Sequence, residues 1–230
     1  MKLVSHAIDP VLLSRLSRQG LPYEEFDPAR PPATDVPRWW LWSAPFPPPL
    51  APGDLWIDTC IRPFDQDITT LLPGVPVLSL VWQHSSFAAE HGFLLTVGGQ
   101  TDTVLTARPL LDALAPLPGG WLHAGDTTAP RFLAAVAGRV GGSLQQLATL
   151  VMQSGATSLL PLLDLHRTLL LDLAQLSQSY LACPSQPYRP ALPLPPLFAP
   201  LGPEISDDDS PARRVAKTIV WLVLQQQTQP

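Results

Sequence analysis

The chain has 230 residues, a formal net charge of −5 and 29 prolines. That length allows one compact domain or two small ones with a buried core. The acidic balance argues against a nucleic-acid-binding protein, because phosphate binding requires clustered Lys and Arg side chains. The one basic cluster, formed by Arg213, Arg214 and Lys217, is interpreted as the solvated face of a helix.

Cysteine and histidine usage gives no sign of a disulfide framework or a metal site. The two cysteines, Cys60 and Cys183, form no CxxC pair, and the five histidines show no HxxxH or HExxH spacing. The N-terminus lacks a basic stretch followed by an apolar core, and charged residues interrupt the Leu-rich stretch 159–176. We therefore expect no metal, no signal peptide, no membrane span and a reduced, cytoplasmic location.

The first half of the chain alternates short apolar runs with turns. An apolar strand (Leu3, Val4) is followed by a helix over 10–19 and by a second strand that ends at Asp27. Further runs bounded by Gly or Pro are RWWLWSAP (38–45), GDLWIDTC (53–60), GVPVLSLVW (74–82), GFLLTVGG (92–99) and GGWLHAG (119–125). A helical pattern separates the last two. This order predicts an α/β layer with a mostly parallel sheet.

From about residue 127 the apolar period becomes helical. Residues 127–155 predict one long helix with Leu144, Leu147 and Val151 on one stripe, and its glycines at 138, 141 and 142 favour close contact with another helix. A second helix is predicted from about 157 to 181. Because it is apolar on nearly every side, we expect it to be buried between helices or in a dimer.

The proline-rich segment 183–203 separates these helices from the C-terminus. Each proline fixes φ and removes an amide donor, so we expect the segment to run extended over a surface. A terminal helix is predicted over 211–226, with Ser210 as its cap and Pro211 in its first position. The predicted domains are therefore an α/β domain over 1–126 and a helical domain over 127–230, which contains the proline-rich segment.

The stretch from Ala51 to Gly155 resembles the β-hydroxyacid dehydrogenase superfamily, which includes 3-hydroxyisobutyrate dehydrogenases, 6-phosphogluconate dehydrogenases and imine reductases. LAPGDLWIDTC is similar to the strand before the family's substrate loop, and the stretch from GVPVLSLVW to HAG follows the family's next section in order. The resemblance implies a Rossmann-like N-terminal domain, an all-α C-terminal domain that pairs with its twin in a homodimer, and NAD(P) as the family's cofactor.

The nucleotide site of that family is altered in this chain. A Gly-rich first turn lets the backbone approach the pyrophosphate, but this turn reads SHAIDP (5–10) and places Asp9 where the phosphate would lie. The alternative is a plain strand-to-helix turn in which Asp9 caps the helix before Pro10. Asp27 falls where an acid would bind an NAD ribose, and Arg30 falls where a base could meet a 2′-phosphate. Asp27 is equally well explained as a turn residue before PARPP (28–32). We predict no cofactor, with NADP as the alternative.

The substrate and catalytic positions of the family are altered as well. In place of its Ser-Gly-Gly turn the chain has Gln83, His84, Ser85 and Ser86, which are interpreted as ligand-binding residues or as an ordinary exposed loop. The family's catalytic Lys and Asn fall near Ala134 and Gly138, neither of which transfers a proton.

Two further residues are candidates for ligand binding. Arg131 is the one ionisable side chain near those helix positions, and a guanidinium is a poor general acid or base. His123 follows a predicted strand, and its alternative role is a structural hydrogen bond. No catalytic residue is assigned.

Three functions are compatible with this pattern. The first is a dimeric relative without catalysis that binds a small molecule in its interdomain cleft or serves in assembly, and it explains why three family sites are altered together. The second is an NADP-dependent oxidoreductase, hydroxyacid dehydrogenase or imine-reductase-like, favoured by Asp27, Arg30 and the polar loop 83–86. The third is an interaction module that presents the proline-rich segment. The shared scaffold leaves enzymatic activity undecided.

Overall fold

The computed structural model describes residues 2–29, 36–85, 87–154, 160–184, 186–194 and 205–227. The strands are β1 (Lys2–His6), β2 (Tyr23–Glu25), β3 (Arg38–Trp42), β4 (Leu55–Asp58), β5 (Val77–Trp82), β6 (Leu95–Gly99) and β7 (Trp121–Gly125). The helices are α1 (Pro10–Arg18), α2 (Ala88–His91), α3 (Thr101–Thr106), α4 (Arg108–Leu114), α5 (Ala129–Ser154), α6 (Leu160–Ala182) and α7 (Pro211–Gln227).

The strands form one sheet in the order β2-β1-β3-β4-β5-β6-β7. Neighbouring strands are parallel except β5 and β6, which pair antiparallel, so β6 and β7 run against the other five. The predicted fold class, a Rossmann-like and mostly parallel sheet followed by a helical region, is confirmed.

The two faces of the sheet are covered differently. On one face, buried leucines of α1 and α4 pack against Leu3, Leu41 and Ile57. On the other face, Trp40, Trp42 and Trp56 are each 0% exposed and form a second core. The described connections from β3 to β5 contain no α-helix, only a 3₁₀ turn over Ile68–Thr70. Large indole rings therefore take the place that crossover helices usually fill beside a parallel sheet.

The chain divides into two compact units. The first consists of Met1–Arg131 with Tyr188–Leu194, and the second consists of Phe132–Pro187 with Pro195–Pro230. Part of the proline-rich segment thus packs with the sheet. In the described chain no helix is long and apolar enough to cross a membrane.

Helices α5, α6 and α7 supply the described core of the second unit. Phe132 of α5 stacks on Tyr180 of α6 with ring centroids 4.1 Å apart, and Arg139 Nε lies 2.6 Å from Asp172 Oδ2. The buried positions of α6 lie in its C-terminal half, while Leu160 and Leu163 near its start are exposed. Within the described chain, nothing lies within 4 Å of a Cβ built on the α5 glycines, so they make no close helix contact there.

Candidate functional site

Four parallel strands end together at one edge of the sheet, where a Rossmann-type fold binds its ligand. β1 ends at His6, β3 at Trp42, β4 at Asp58 and β5 at Trp82. The loops that follow these strands therefore contain the candidate site, and five of the residues proposed from the sequence are described in or beside them.

The turn from β1 to α1 is closed by Asp9. Its Oδ1 accepts a hydrogen bond of 2.8 Å from the amide of Val11 and caps the helix, while its Oδ2 lies 3.1 Å from Nδ1 of His84. Pro10, in the first helical position, has no amide to offer. An amide that could hold a pyrophosphate is thus already bound by a carboxylate.

Ala7, in the turn from β1 to α1, has a backbone conformation that favours glycine. It is the one non-glycine among the described residues with positive φ, at 55°. A left-handed conformation costs a residue with a Cβ about 1 kcal/mol, whereas glycine adopts it readily. The turn therefore retains a conformation suited to glycine while carrying a side chain.

Aromatic side chains close the same edge above β1 and β3. The His6 ring stacks on Trp42 at 4.3 Å, Phe26 meets both rings edge-on, and Trp42 Nε1 donates to the carbonyl oxygen of Phe46 over 2.8 Å. We call His6, Phe26, Trp42 and Phe46 the aromatic cap. Sequence analysis missed it because its members come from three separate stretches of the chain.

Of the two residues predicted to bind a ribose or its 2′-phosphate, the structure describes only Asp27. Asp27 is exposed after β2, and its Oδ1 accepts from the amide of Ala29 over 2.8 Å, which makes it part of a local turn. Arg30 lies outside the described residues.

The polar loop after β5 meets the first turn of the sheet through one residue. His84 is largely exposed, and its side chain contacts Asp9. The backbone amide of Gln83 donates to the carbonyl oxygen of Leu94. Ser85 Oγ accepts from the amide of Phe87 over 3.3 Å. Ser86 lies outside the described residues. Among the described residues of this loop, therefore, only His84 contacts the turn from β1 to α1 through its side chain.

Arg131 is enclosed rather than open to a ligand. Its Nη2 lies 2.5 Å from Oδ2 of Asp58, and its Nη1 donates to the carbonyl oxygen of Gln66 over 3.0 Å. Arg62 Nη2 lies 3.4 Å from the other oxygen of Asp58 and donates to the carbonyl oxygen of Ala44. Burial raises the pKa of Asp58, and the two guanidinium groups oppose that rise. The cluster ties β4 to the start of α5.

Sequence analysis missed Asp58 and Arg62. Asp58 is 0% exposed at the end of the run LWID, in which every residue is buried. An acid that completes an apolar strand needs a cationic partner if it is buried, and this rule points to such a cluster without naming the partner.

His123 on β7 is also enclosed, at 4% exposure. Its Nε2 lies 3.0 Å from the carbonyl oxygen of Gly99, and its Nδ1 accepts from the amide of Ala191 over 3.3 Å. Burial lowers the pKa of His123. Both ring nitrogens are thus used by the protein, as in the structural alternative considered from the sequence.

Three ionisable side chains of the candidate site are paired or enclosed within the protein. Asp58 lies between two guanidinium groups, His123 is enclosed, and His84 contacts a carboxylate at the edge of the sheet. Across the described ranges there is no group of three or more His, Cys, Asp or Glu side chains that could hold a metal ion.

Comparison with known proteins gives matches only among solved structures. No family model and no curated protein matches the chain. A structure of Mycobacterium tuberculosis 3-hydroxyisobutyrate dehydrogenase with L-serine superposes with a TM-score of 0.50 at 18% identity, over 68% of this chain and 67% of that one. An imine reductase from Myxococcus stipitatus in complex with NADP⁺ gives a TM-score of 0.47 at 13% identity, over 79% and 76%.

The similarity to the 3-hydroxyisobutyrate dehydrogenase structure shows the fold of the chain. At the level of the fold, it confirms the predicted resemblance to β-hydroxyacid dehydrogenases. Function is a separate question, because one scaffold serves unrelated activities.

Proposed function

We propose that this chain is a dimeric small-molecule-binding or assembly protein that uses a dehydrogenase-type fold without its dinucleotide-dependent catalysis. The observation that carries the proposal is the position of Asp9. Its carboxylate binds the amide of Val11 at the start of α1 and meets His84 at the site where the fold would receive a pyrophosphate.

Electrostatics supports this reading of the first turn. A helix N-terminus attracts anions because its first amides lack partners and carry partial positive charge. Asp9 satisfies one amide with its own negative charge, and Pro10 removes another. A dinucleotide would have to displace Asp9 and approach past the side chain of Ala7, so binding should be weak.

The region corresponding to the family's catalytic helix supports the loss of catalysis. By the resemblance, Ala134 and Gly138 lie near its proton-transferring Lys and amide-bearing Asn. Arg131, the nearest ionisable side chain, is 5% exposed and paired with Asp58. No residue of the described helix thus takes over the function of that lysine.

Assembly is supported by the apolar surface of α5 and α6. Side chains exposed in the single chain include Leu144, Val151, Met152, Leu160, Leu163 and Leu171. Contiguous apolar patches are rare on monomeric soluble proteins. We propose a second copy of the chain as the occupant, with an obligate interface that buries more than about 2,000 Å².

A thermal-shift titration with NAD⁺, NADH, NADP⁺ and NADPH tests the proposed function. A ligand that binds only the folded state raises its stability by RT ln(1 + [L]/Kd), so saturating nucleotide would give a clear rise in Tm. We expect no rise at about 1 mM of any of the four. A concentration-dependent rise would instead support the NADP-dependent oxidoreductase, with Asp27 as the first residue to replace.

A further inference from the structure

The segment Tyr188–Leu194, which we call the strap, lies along the first unit without forming a helix or a strand. The Tyr188 hydroxyl donates to the carbonyl oxygen of His123 over 3.0 Å, and the Thr101 hydroxyl donates to that of Arg189 over 2.6 Å. Ala191 and Leu192 pack against the main core. The strap is thus docked by a few hydrogen bonds and two apolar side chains.

The contact between the strap and His123 requires one protonation state of the ring. Nε2 lies 3.0 Å from the Gly99 carbonyl oxygen, which can only accept, so Nε2 carries a proton. Nδ1 receives the amide of Ala191, so Nδ1 carries none. The geometry therefore requires a neutral ring with its proton on Nε2.

We propose that His123 is a pH-sensitive latch that holds the strap when the ring is neutral and releases it when the ring is protonated. Protonation places a second N–H on Nδ1, directly facing the amide of Ala191. Two donors then oppose each other, the Ala191 amide loses its acceptor, and a positive charge is enclosed at a position 4% exposed. Each of these effects favours detachment of the strap, which returns the imidazolium to water.

The surroundings of His123 do not stabilise the charged ring with a carboxylate. The titratable and charged residues on the packed elements are Tyr188 and Arg189 on the strap, Asp102 on α3, Arg108 and Asp112 on α4, and Asp126 after β7. Asp112 binds the Gly119 amide and Trp121 Nε1, and Asp126 binds the amides at the start of α5. Asp102 is exposed, and the described part of the chain gives His123 no ion-pair partner.

The direction of the pH dependence follows from burial. Desolvation lowers the pKa of His123 in the docked state, although hydrogen bonds with the backbone at Gly99 and Gly125 oppose it. Once the strap leaves, the ring meets water and its pKa approaches the ordinary value of about 6.5. His123 therefore binds a proton more tightly in the released state than in the docked state. The docking of the strap is thus strongest at neutral pH, begins to weaken below about 6.5, and weakens further as the pH falls toward the lower pKa of the docked state.

Hydrogen–deuterium exchange at the Ala191 amide tests the latch. The wild-type protein is compared at each pH with His123→Asn, whose Oδ1 can accept from Ala191 but does not titrate, so the intrinsic pH dependence of exchange cancels. The wild-type to variant ratio of exchange rates should rise about tenfold from about pH 7.5 to about pH 5. The Leu80 amide in β5 reports on global opening and should remain protected.

Two further variants keep the test decisive if His123→Asn does not fold. Ala191→Pro removes the amide donor, so the acid response at the Leu192 amide should shrink, because only the enclosure of the charged ring then favours release. Thr101→Ala removes the hydrogen bond to Arg189 and should loosen the strap by the same factor at every pH. A wild-type strap whose corrected exchange does not change with pH contradicts the latch, and so does an acid response in Ala191→Pro as large as that of the wild type.

Discussion

His84 Nδ1 lies 3.1 Å from Asp9 Oδ2, so the loop after β5 is joined to the first turn of the sheet. The two residues come from the positions that would hold a substrate and a pyrophosphate in the dehydrogenases this chain resembles. In this contact the imidazole of His84 and the carboxylate of Asp9 are paired with each other.

Asp9 contributes to stability mainly as the cap of α1. Asp9→Ala removes the hydrogen bond to the Val11 amide and should lower the free energy of unfolding by about 1 kcal/mol. Asp9→Asn, which keeps an acceptor oxygen, should lose much less. Urea unfolding of both variants checks this, and an equal loss in both would contradict the capping role.

The buried pair of Asp58 and Arg131 should matter far more than an exposed pair on the same helix. Arg131→Ala leaves the 0% exposed Asp58 without its shorter contact and should cost about 3–5 kcal/mol. Arg139→Ala is the matched control, because Arg139 pairs with Asp172 at the surface, where a pair contributes about 1 kcal/mol or less. Chemical denaturation of both variants compares the costs. Similar losses of unfolding free energy in the two variants would contradict the larger contribution assigned to the buried pair.

Strands β3 to β7 could be predicted from sequence because each is a short apolar run bounded by Gly or Pro, and these signals are local. The cap of α1 was recognisable for the same reason, since Asp9 immediately precedes Pro10. The site contacts join distant residues: Asp58 meets Arg131, Asp9 meets His84, and His123 meets Ala191. No local pattern encodes such pairs, so sequence analysis singled out Arg131 and His123 but not their partners.

Asp209, before α7, should make stability depend on pH in acid. Burial would raise the pKa of its carboxyl group, but hydrogen bonds from Lys217 Nζ and the Ser206 amide, with the charges of Lys217 and Arg213, hold it below the ordinary 3.8. The folded-state pKa is thus the lower one. The stabilisation is present above about 3.8 and is lost as the pH falls through the folded-state pKa.

Asp209→Asn should therefore be less stable than the wild type near neutral pH, and the difference should shrink toward about pH 3. Urea unfolding over that range measures it. Asp208→Asn is the control, since Asp208 is exposed and has no ion pair among the described residues. A difference for Asp209→Asn that is constant with pH would contradict the assignment.

The proposed dimer predicts a specific effect at Leu163, which is 61% exposed in the single chain. Leu163→Asp should leave the fold of each subunit intact and convert the dimer to monomer in sedimentation velocity at micromolar concentration, because an apolar interface does not accept an unpaired carboxylate. Leu94→Asp, equally exposed but in the first unit, should remain dimeric. A wild-type protein that sediments as a monomer would contradict the proposed dimer.

Isothermal titration calorimetry with NADPH and NADH tests the central claim most directly. With Asp9 bound to the Val11 amide and to His84, the first turn offers the pyrophosphate a carboxylate in place of open amides. We predict a Kd above about 1 mM for both nucleotides, equivalent to less than about 4 kcal/mol of binding free energy. Micromolar binding of either nucleotide would contradict the account and identify the chain as a cofactor-binding protein.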